Sequence, residues 1–281
     1  MKVTQAGFLR AFIKMADDGA KMGWHERNGG NLSLRLLPEE ADEVGSEFRE
    51  GSFVELDDPV PGLGGEFFLV SGSGKYFSNI ASDPSGNLCI VRLDEKGEGY
   101  RILWGLDRGG RPTSEFLSHL KNHAAIRQRD EDLRIVYHCH PANLIALSFI
   151  LPPDEVIFTR ELFEMMPECA MVFPEGVGVV SWEVPGSAVL ADKTSKIMRE
   201  KNAAIWMCHG AFACGRDFDE TFGLMHTMEK AGEILVKVRS MSDRKENPVT
   251  ADMLRALSKA YDLGIDEKYL YERRSGRIGE R

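Results

Sequence analysis

The pattern of apolar and polar positions along the chain changes several times between helical and strand spacing. Near the amino terminus, apolar side chains recur three and four residues apart: Phe8, Leu9, Phe12, Ile13 and Ala16. This spacing predicts an amphipathic helix over residues 4–21, because residues three and four apart share one face of a helix. After the glycine pair Gly29-Gly30, leucines at every second position from Leu32 to Leu36 predict a short strand.

The rest of the chain alternates between strand-like and helix-like segments. Short β-rich runs predict strands at 66–70, 88–93, 100–104, 133–138 and 203–208, and two more within 168–182. Helical stripes and capping residues predict helices from Thr113 or Ser114 to about residue 128, after Pro141, from Ser187 to about residue 201, and around 222–238 and 253–257. Several strands follow one another directly, which favours a three-layer α/β/α fold with a mixed sheet over a strict βαβ series.

Two segments depart from this regular pattern. Residues 38–65 are rich in acidic residues, glycine and proline, and we expect an irregular insertion there. The tail 266–281 is charged, and we expect it to fray or to lie on a neighbouring subunit. No internal repeat or long linker divides the chain, so we expect a single domain over residues 1–281.

Composition and charge narrow the class of protein. The chain has 281 residues, of which 43% are hydrophobic, enough to bury a sizeable core. A net charge of -9 argues against nucleic acid or an anionic membrane as the main partner. No apolar run reaches the roughly 20 residues of a membrane helix, and the amino terminus lacks the long apolar stretch of a signal peptide. We therefore expect a cytoplasmic protein.

The cysteines agree with a reducing compartment. Their count is odd, none forms a CxxC pair, and no secretory signal precedes them, which favours free thiols. We expect each to be a small buried hydrophobic side chain: Cys89, Cys139, Cys169, Cys208 and Cys214.

His138-Cys139-His140 is the sharpest candidate for chemistry. Residues two apart on a strand point to the same face of the sheet, so both imidazoles are placed to share one metal ion, with Cys139 directed into the core. His209 follows the predicted strand at 203–208 and offers a third imidazole. Three histidines with one open position are typical of a catalytic zinc site.

Ordinary structural roles compete with this interpretation. A histidine at a turn, such as His209, is often a partly buried side chain with no ligand. His119 and His123 lie four residues apart on one helix face and form a competing metal pair. Histidines on helix faces are usually solvated or hydrogen-bonded, and one of this pair can instead support a metal ligand from behind.

Two glycine-rich turns and one predicted helix start suit a phosphate group. The turn 28–31 offers the amides of Asn28 and Asn31, and the turn 71–74 offers hydroxyls; both offer backbone N–H donors. The predicted helix start at 113–114 adds hydroxyls and the positive end of a helix dipole. Each of these, taken alone, is more often a plain turn or cap. Neither turn matches a Walker or dinucleotide-binding pattern, so the sequence indicates no nucleotide.

Acidic residues near these candidates also have plain alternatives. Glu115 stands in the first turn of the predicted helix, where the dipole favours an acid. Glu164 and Glu168 flank a predicted strand start and suit surface positions, while Glu26 can pair with Arg27. The residues by themselves therefore predict a candidate zinc site beside anion-binding turns, and nothing more specific.

The chain also resembles the class II aldolase and adducin superfamily. The resemblance runs in order from about residue 5 to about residue 262, which makes it far more specific than any single motif. It rests on the segments 23–32, 70–75, 102–106, 112–115, 138–140, 143–147, 158–160, 168–169, 172–178 and 219–224.

The resemblance implies a mixed, largely antiparallel sheet and one Zn²⁺ per subunit, held by His138, His140 and His209. It implies that Glu115 reaches the metal at rest and swings away to act as catalytic base. Glu168 is implied to line the site and to assist at the aldehyde oxygen. The implied phosphate contacts are Asn28, Gly30, Asn31, Ser73, Gly74, Thr113 and Ser114. Such enzymes form cyclic homotetramers with sites near the subunit interfaces.

The implied activity is a lyase reaction on a sugar phosphate. The segments around Trp24 and at 102–106 favour the members that cleave L-rhamnulose 1-phosphate to dihydroxyacetone phosphate (DHAP) and L-lactaldehyde, in rhamnose catabolism. The alternatives are a fuculose-phosphate aldolase, a pentulose-phosphate 4-epimerase, a sugar-phosphate dehydratase, or a non-catalytic adducin-like domain. The last predicts lost metal ligands, whereas the three histidines and Glu115 are all present.

Overall fold

A mixed sheet organises residues 1–271, the part of the chain that this computed structural model describes. Its strands are β1 (Asn31–Arg35), β2 (Phe53–Glu55), β3 (Phe67–Ser71), β4 (Leu88–Leu93), β5 (Gly99–Gly105), β6 (Ile135–Cys139), β7 (Gly178–Val180), β8 (Ala203–Trp206) and β9 (Gly210–Gly215). Their order across the sheet is β2-β5-β4-β3-β1-β6-β9-β8-β7. Neighbours are antiparallel except β7 and β8, which confirms the mixed, largely antiparallel sheet.

Helices cover both faces of this sheet. They are α1 (Gly7–Lys21), α2 (Pro38–Val44), α3 (Phe77–Ile80), α4 (Pro84–Asn87), α5 (Phe116–Arg129), α6 (Ala142–Leu147), α7 (Glu155–Phe163), α8 (Pro167–Val172), α9 (Ala188–Met198), α10 (Phe218–Met241) and α11 (Ala251–Tyr261). Short 3-10 turns lie at Val3–Gln5, Gly45–Glu47, Pro61–Leu63 and Glu267–Tyr269. Helices α5 and α9 pack on one face, and α1, α6, α7, α8, α10 and α11 pack on the other. The predicted three-layer arrangement is confirmed.

The strand β1 lies in the middle of the sheet and is buried on both faces. Leu32 and Leu34 pack into the apolar cluster that contains α1, whereas Ser33 contacts side chains of α5. All five residues of β1 are buried. A polar side chain in such a strand has no water to bind, so it needs a partner within the protein.

Two segments form different secondary structure from that predicted by their sequence. The first strand-like run within 168–182 is the helix α8, in which Cys169 and Ala170 are buried. A short apolar run suits a buried helix as well as a strand, and Pro167 at its first position favours the helix. The segment 38–65 contains α2 and the edge strand β2, which pairs with β5.

The helix α5 begins later than its capping pattern predicts. Neither Thr113 nor Ser114 is its cap residue, since Glu115 occupies that position and the helix begins at Phe116. The Thr113 hydroxyl instead accepts a hydrogen bond from the Glu115 backbone N–H at 3.3 Å. The predicted cap is therefore wrong, and the later start places the Glu115 side chain at the end of the helix that faces β1.

The carboxyl-terminal segment packs on its own chain as far as residue 270. Tyr269 is fully buried beside Phe163, and Lys201 donates a hydrogen bond to its hydroxyl at 2.6 Å. The tail is therefore anchored up to this point, contrary to the predicted fraying. Its remainder, 272–281, lies outside the described residues. Across residues 1–271, no helix has both the length and the apolar character needed to cross a membrane.

Candidate metal centre

A cavity of about 160 Å³ opens where β6 ends. Side chains and backbone from five stretches of the chain line it: Asn28, Gly30, Asn31, Gly72, Ser73, Gly74, Thr113, Ser114, Glu115, His138, His140 and His209. Every residue that the family resemblance implied for the site lies here except Glu168. The fold thus brings together positions that are up to 181 residues apart, from 28 to 209.

Three imidazoles converge on one wall of the cavity. Ring nitrogens of His138, His140 and His209 all lie within 4.8 Å of one another. The sheet explains this convergence, because β6 and β9 are antiparallel neighbours with Cys139 opposite Ala211. The end of β6 therefore meets the start of β9, where His209 lies in the preceding turn.

Hydrogen bonds leave one ring nitrogen free in His138 and in His140. His138 donates from Nδ1 to the carbonyl oxygen of Ala211 at 2.9 Å, which leaves Nε2 as a bare lone pair in the neutral ring. That Nε2 is buried and has no hydrogen-bond partner among the described residues. Burial lowers the pKa of His138 well below its ordinary value and the pKa of His209 to about 4, so both rings are neutral. A neutral imidazole with a bare nitrogen is suited to bind a metal ion.

Glu26 orients the second histidine, a role that the sequence analysis missed. Its Oε1 accepts a hydrogen bond from His140 Nδ1 at 2.6 Å, across 114 positions of the chain. A Cβ atom at Gly29 would lie 2.8 Å from this Oε1 and 2.9 Å from His140 Nδ1, so glycine there makes the contact possible. Carboxylates commonly hold metal-binding histidines in this way. No local spacing signal connects Glu26 to His140.

Glu115 lies beside His138 in the same cavity. Its carboxyl group is buried, its Oε2 lies 3.7 Å from His138 Nε2, and Asn31 Nδ2 donates to the same oxygen at 2.6 Å. Burial raises the pKa of Glu115 above its ordinary value, and the hydrogen bond from Asn31 opposes that rise. A carboxyl group with a raised pKa beside a candidate metal site suits proton transfer.

The turn that contains Ser73 forms part of the rim. The backbone N–H groups of Gly72 and Ser73 donate to the carbonyls of Asn87 and Arg111, at 2.8 and 2.9 Å. These two amides are therefore not free for an anion, contrary to the expected run of N–H donors. The turn offers the half-buried Ser73 side chain and the exposed Gly74 instead.

The turn 28–31 approaches the histidines closely because of glycine. Gly30 has a φ of +73°, and a Cβ there would lie 2.7 Å from the His138 carbonyl oxygen and 2.5 Å from His25 Nδ1. Only glycine tolerates both the left-handed backbone and the contact. Asn28 is exposed at the rim, whereas the amide of Asn31 points inwards to Glu115.

Three other candidate residues lie outside the cavity. Glu168 is exposed in the first turn of α8, on the layer opposite α5, and does not line the cavity of its own chain. His119 and His123 are fully buried, and both contact the hydroxyl of Ser33, at 2.6 and 2.8 Å. They are therefore hydrogen-bonded side chains behind the site, not a second metal pair.

Comparisons with known proteins give matches over most of the chain. The family model for the class II aldolase and adducin N-terminal domain matches residues 10–236. Rhamnulose-1-phosphate aldolase of Pectobacterium atrosepticum is 43% identical over 266 residues, covering 93% of this chain and 96% of that protein. The Escherichia coli protein of the same name is 42% identical over 266 residues, with the same coverage.

Solved structures with a similar fold include two aldolases. A sugar-phosphate aldolase from Thermotoga maritima superposes with a TM-score of 0.72 at 31% identity, covering 85% of this chain and 97% of that one. An L-fuculose-1-phosphate aldolase from Thermus thermophilus superposes with a TM-score of 0.53 at 22% identity, covering 83% and 95%, and shares the fold.

Proposed function

Because the chain belongs to the class II aldolase and adducin family, we propose that it reversibly cleaves L-rhamnulose 1-phosphate to DHAP and L-lactaldehyde with the help of zinc. Relatives named for this reaction align over 93% of the chain. The observation that carries the proposal is one cavity lined by three imidazoles, a buried carboxyl group, and hydroxyl and amide groups that suit a phosphate.

The cavity fits one zinc ion per chain. His138, His140 and His209 would hold it, since three imidazoles with an open position are a usual catalytic zinc set. The buried Nε2 of His138, which has no hydrogen-bond partner among the described residues, supports this assignment. When bound, zinc would supply Lewis-acid stabilisation of the negative charge that develops on the substrate oxygens.

Glu115 is the proposed proton-transfer group. As the C3–C4 bond breaks, the C4 hydroxyl loses its proton and becomes the aldehyde oxygen, the electron pair stays on C3 of the DHAP half, and a protonated Glu115 would deliver its proton to that carbon. In the direction of synthesis, the carboxylate would remove the same proton. Its burial and raised pKa suit a group that must carry a proton in one direction and release it in the other.

The rim of the cavity is the proposed phosphate site. Asn28, Ser73 and Ser114 reach the surface there, beside Gly30 and Gly74; Thr113 lies deeper. A phosphate held by these groups would place the carbons of DHAP near Glu115. Binding energy from the phosphate would then orient the reacting atoms, which is the usual role of a remote anchoring group.

We propose that Glu168 acts across a contact between copies of the chain. It is exposed and lies outside the cavity of its own chain. A role at the aldehyde oxygen therefore requires a neighbouring subunit, in keeping with a homotetramer whose sites lie near subunit interfaces.

We also propose one cytoplasmic domain over the chain. One sheet takes its strands from residue 31 to residue 215, and both α1 and α10 pack against it, which supports a single unit. All five cysteines are free thiols, as is usual in a reducing compartment.

A panel of substrates tests the proposed reaction. Zinc-loaded protein would be incubated separately with L-rhamnulose 1-phosphate, L-fuculose 1-phosphate and L-ribulose 5-phosphate, with DHAP measured by a coupled reductase. We expect kcat/KM for the rhamnulose substrate to exceed the others by at least about tenfold, roughly 1.4 kcal/mol. Faster cleavage of the fuculose substrate, or epimerisation of the ribulose substrate without DHAP, would assign a different reaction. No turnover together with no bound metal would favour the non-catalytic alternative.

A further inference from the structure

A chain of hydrogen bonds leads from Glu115 into the interior of the protein. Asn31 Nδ2 donates to Glu115 Oε2 at 2.6 Å, and the opposite end of the amide, Oδ1, is in short contact with His119 Nε2. The Ser33 hydroxyl then joins His119 Nδ1, at 2.6 Å, to His123 Nε2, at 2.8 Å. All five side chains are buried, so no water competes for these contacts.

The polar side chains of β1 and α5 recur at similar distances, and this match makes the hydrogen-bond chain possible. Asn31 and Ser33 are two residues apart on a strand, a rise of about 6.8 Å. Glu115, His119 and His123 are four residues apart along α5 and its cap, a rise of about 6 Å per step. The two rows of side chains therefore stay in register, and each polar group of one row meets a polar group of the other.

Starting from Glu115, the donors and acceptors of this hydrogen-bond chain can be ordered in only one direction. The carboxylate accepts hydrogen bonds, so Asn31 must present its NH2 group there and its Oδ1 to His119. His119 then donates from Nε2. Burial lowers the pKa of His119 to about 3, so the ring is neutral and its Nδ1 accepts from the Ser33 hydroxyl. Ser33 in turn accepts from His123 Nε2.

His123, at the far end of the hydrogen-bond chain, supports the same donor and acceptor order. His123 Nδ1 is buried and has no hydrogen-bond partner among the described residues. If His123 donates from Nε2, this Nδ1 is a bare acceptor, which costs less to leave unpaired than a buried N–H group. The reverse direction would orphan an N–H at His123 and turn the oxygen of Asn31 towards the Glu115 carboxylate, where two acceptors repel.

We propose that His123, Ser33 and His119 are positioning residues that lock the amide of Asn31 with its NH2 group towards Glu115, and thereby fix where the carboxylate oxygens lie in the cavity. The proposal rests on the proposed function only in taking Glu115 as the proton-transfer group. It also changes the role of Asn31, because both ends of its amide bind protein groups. Asn31 then acts mainly on Glu115 instead of on the phosphate, to which it can offer only its second Nδ2 hydrogen.

A spectroscopic measurement tests the direction of the chain without any substrate. In zinc-loaded protein labelled with ¹⁵N-histidine, long-range proton–nitrogen spectra report which ring nitrogen carries the proton. We expect Nε2–H and a bare Nδ1 for both His119 and His123, with assignments from the His119→Gln and His123→Gln spectra. Ser33→Ala should mix the tautomers of His119, whereas Ser118→Ala should leave them unchanged. A protonated Nδ1 at His119 in the unaltered protein would overturn the proposal.

Exchange of the DHAP proton with deuterated water tests the functional consequence. Ser33→Ala should slow this exchange by about 10–100-fold at saturating DHAP, because a small misplacement of a reacting group has effects of this size. Zinc content and the DHAP concentration for half-maximal exchange should change less than about twofold. Ser118→Ala is the matched control, since Ser118 is an equally buried serine of α5 whose hydroxyl has no partner among the described residues. Equal effects of the two changes would contradict the positioning role.

Two variants of His119 separate polarity from packing. In His119→Gln, the amide nitrogen can still donate to Asn31 and the amide oxygen can still accept from Ser33, so exchange should remain within about fivefold. His119→Leu fills a similar volume without either polar atom, and should show the full 10–100-fold loss. Equal loss in both variants, accompanied by loss of zinc, would indicate a purely structural role. This pair carries the functional test if Ser33→Ala does not fold.

The two proposals fail in different ways. If the unaltered zinc-loaded protein does not exchange the DHAP proton, the proposed reaction and the functional part of this inference are both wrong. The histidine spectra still decide the direction of the chain in that case. If the unaltered protein exchanges normally and Ser33→Ala does so too, only the positioning role is wrong.

Discussion

The role of each side chain in this cavity depends on which of its atoms is already engaged. His138 and His140 use their Nδ1 atoms to donate to Ala211 and Glu26, and so keep Nε2 bare. Asn31 uses both ends of its amide within the protein, whereas Asn28 is exposed at the rim. Residue types alone do not distinguish these roles, and substitutions that remove one atom at a time can.

The change Glu115→Gln tests the proton-transfer step. It keeps the size of the side chain and an oxygen for Asn31, but removes the base. We expect zinc binding to persist through the three histidines, and DHAP binding to persist through the side chains proposed to hold its phosphate. Aldol cleavage and exchange of the DHAP proton should both fall by about 10²–10⁴-fold.

The matched control is Glu168→Gln. If Glu168 acts only at the aldehyde oxygen, this variant should slow cleavage and leave proton exchange near normal. Near-normal exchange in zinc-loaded Glu115→Gln would remove Glu115 as the base and point to Glu168.

The change Glu26→Gln tests how Glu26 supports the proposed metal ligand His140. Loss of the carboxylate weakens the hold on the His140 ring, so zinc affinity should fall by about 10–100-fold. His140→Ala removes the ligand itself and should abolish metal binding and activity together. Zinc titration against a competing chelator measures both effects, with the exposed Glu39→Gln of α2 as a control. Full zinc occupancy in His140→Ala would disprove the assigned ligand set.

The change Asn28→Ala tests the phosphate site. Its amide is exposed at the rim, and its loss should weaken DHAP binding by about 1–3 kcal/mol if a bound acceptor loses its donor. Zinc content should be normal. Binding of unphosphorylated dihydroxyacetone provides the control, because it should not change. A similar loss for both ligands would show that Asn28 does not act on the phosphate.

At the scale of elements, the turn between β8 and β9 determines where His209 lies. The His209 N–H donates to the Trp206 carbonyl at 3.1 Å, which closes the turn. Cys208 within it has a φ of +58° and is exposed, so the expected burial of every cysteine is wrong at this position. A left-handed backbone is unfavourable for any residue with a Cβ. The turn is therefore held in a strained conformation next to a proposed ligand.

The change Cys208→Gly should relieve this strain. We expect the free energy of unfolding to rise by about 0.5–1 kcal/mol, after allowing for the greater freedom of glycine in the unfolded chain. Cys208→Ala keeps the Cβ and should show no such gain. Urea unfolding of both variants measures the difference. A lower free energy of unfolding for the glycine variant than for the alanine variant would count against strain at this position.

The pairing of β1 with α5 is the second element-scale feature that positions the site. The burial of β1 on both faces leaves α5 as the partner of its polar side chains, as the contacts of Ser33 illustrate. Since the helix begins at Phe116 instead of at the predicted cap, the Glu115 side chain faces Asn31 at the end of this contact. A shift of one residue in either element would separate the two rows of groups.

At the scale of the whole molecule, buried neutral histidines link stability to pH. His119 has a pKa lowered to about 3 by burial, and His25 has a pKa lowered to about 4 for the same main reason. In the unfolded chain each takes up a proton near pH 6.5. Between these values the unfolded state binds more protons, so the free energy of unfolding falls as the pH falls.

The variant His119→Gln isolates this contribution. Buried carboxyl groups with raised pKa values change the free energy of unfolding in the opposite direction as the pH falls. The difference between the unaltered protein and the variant is therefore more informative than the pH dependence of either one. Urea unfolding of metal-free protein between pH 6 and pH 4.5 gives the free energy of unfolding as a function of pH. The slope of this free energy against pH should be smaller in the variant by about 1.4 kcal/mol per pH unit. Parallel curves for the two proteins would mean that His119 is not buried in its neutral form.

Local spacing in the sequence was sufficient for much of the fold and for two of the three proposed metal ligands. The period of apolar residues in α1 and α10 and the alternation in β1 follow from backbone geometry, which acts over a few neighbouring residues. His138 and His140 are two apart at a strand end, so their convergence is also a local property. The resemblance to a known family then added His209 and Glu115, which spacing alone left open.

Only the tertiary structure decided which distant groups meet. The contact of Glu26 with His140 spans 114 positions, and that of Asn31 with Glu115 spans 84. Both depend on how strands and helices pack in register, and apolar periodicity does not record register between elements that are far apart in the chain. For the same reason, local spacing does not reveal that Glu168 lies outside the cavity of its own subunit. The hydrogen-bond chain behind Glu115 likewise has no signature in the sequence.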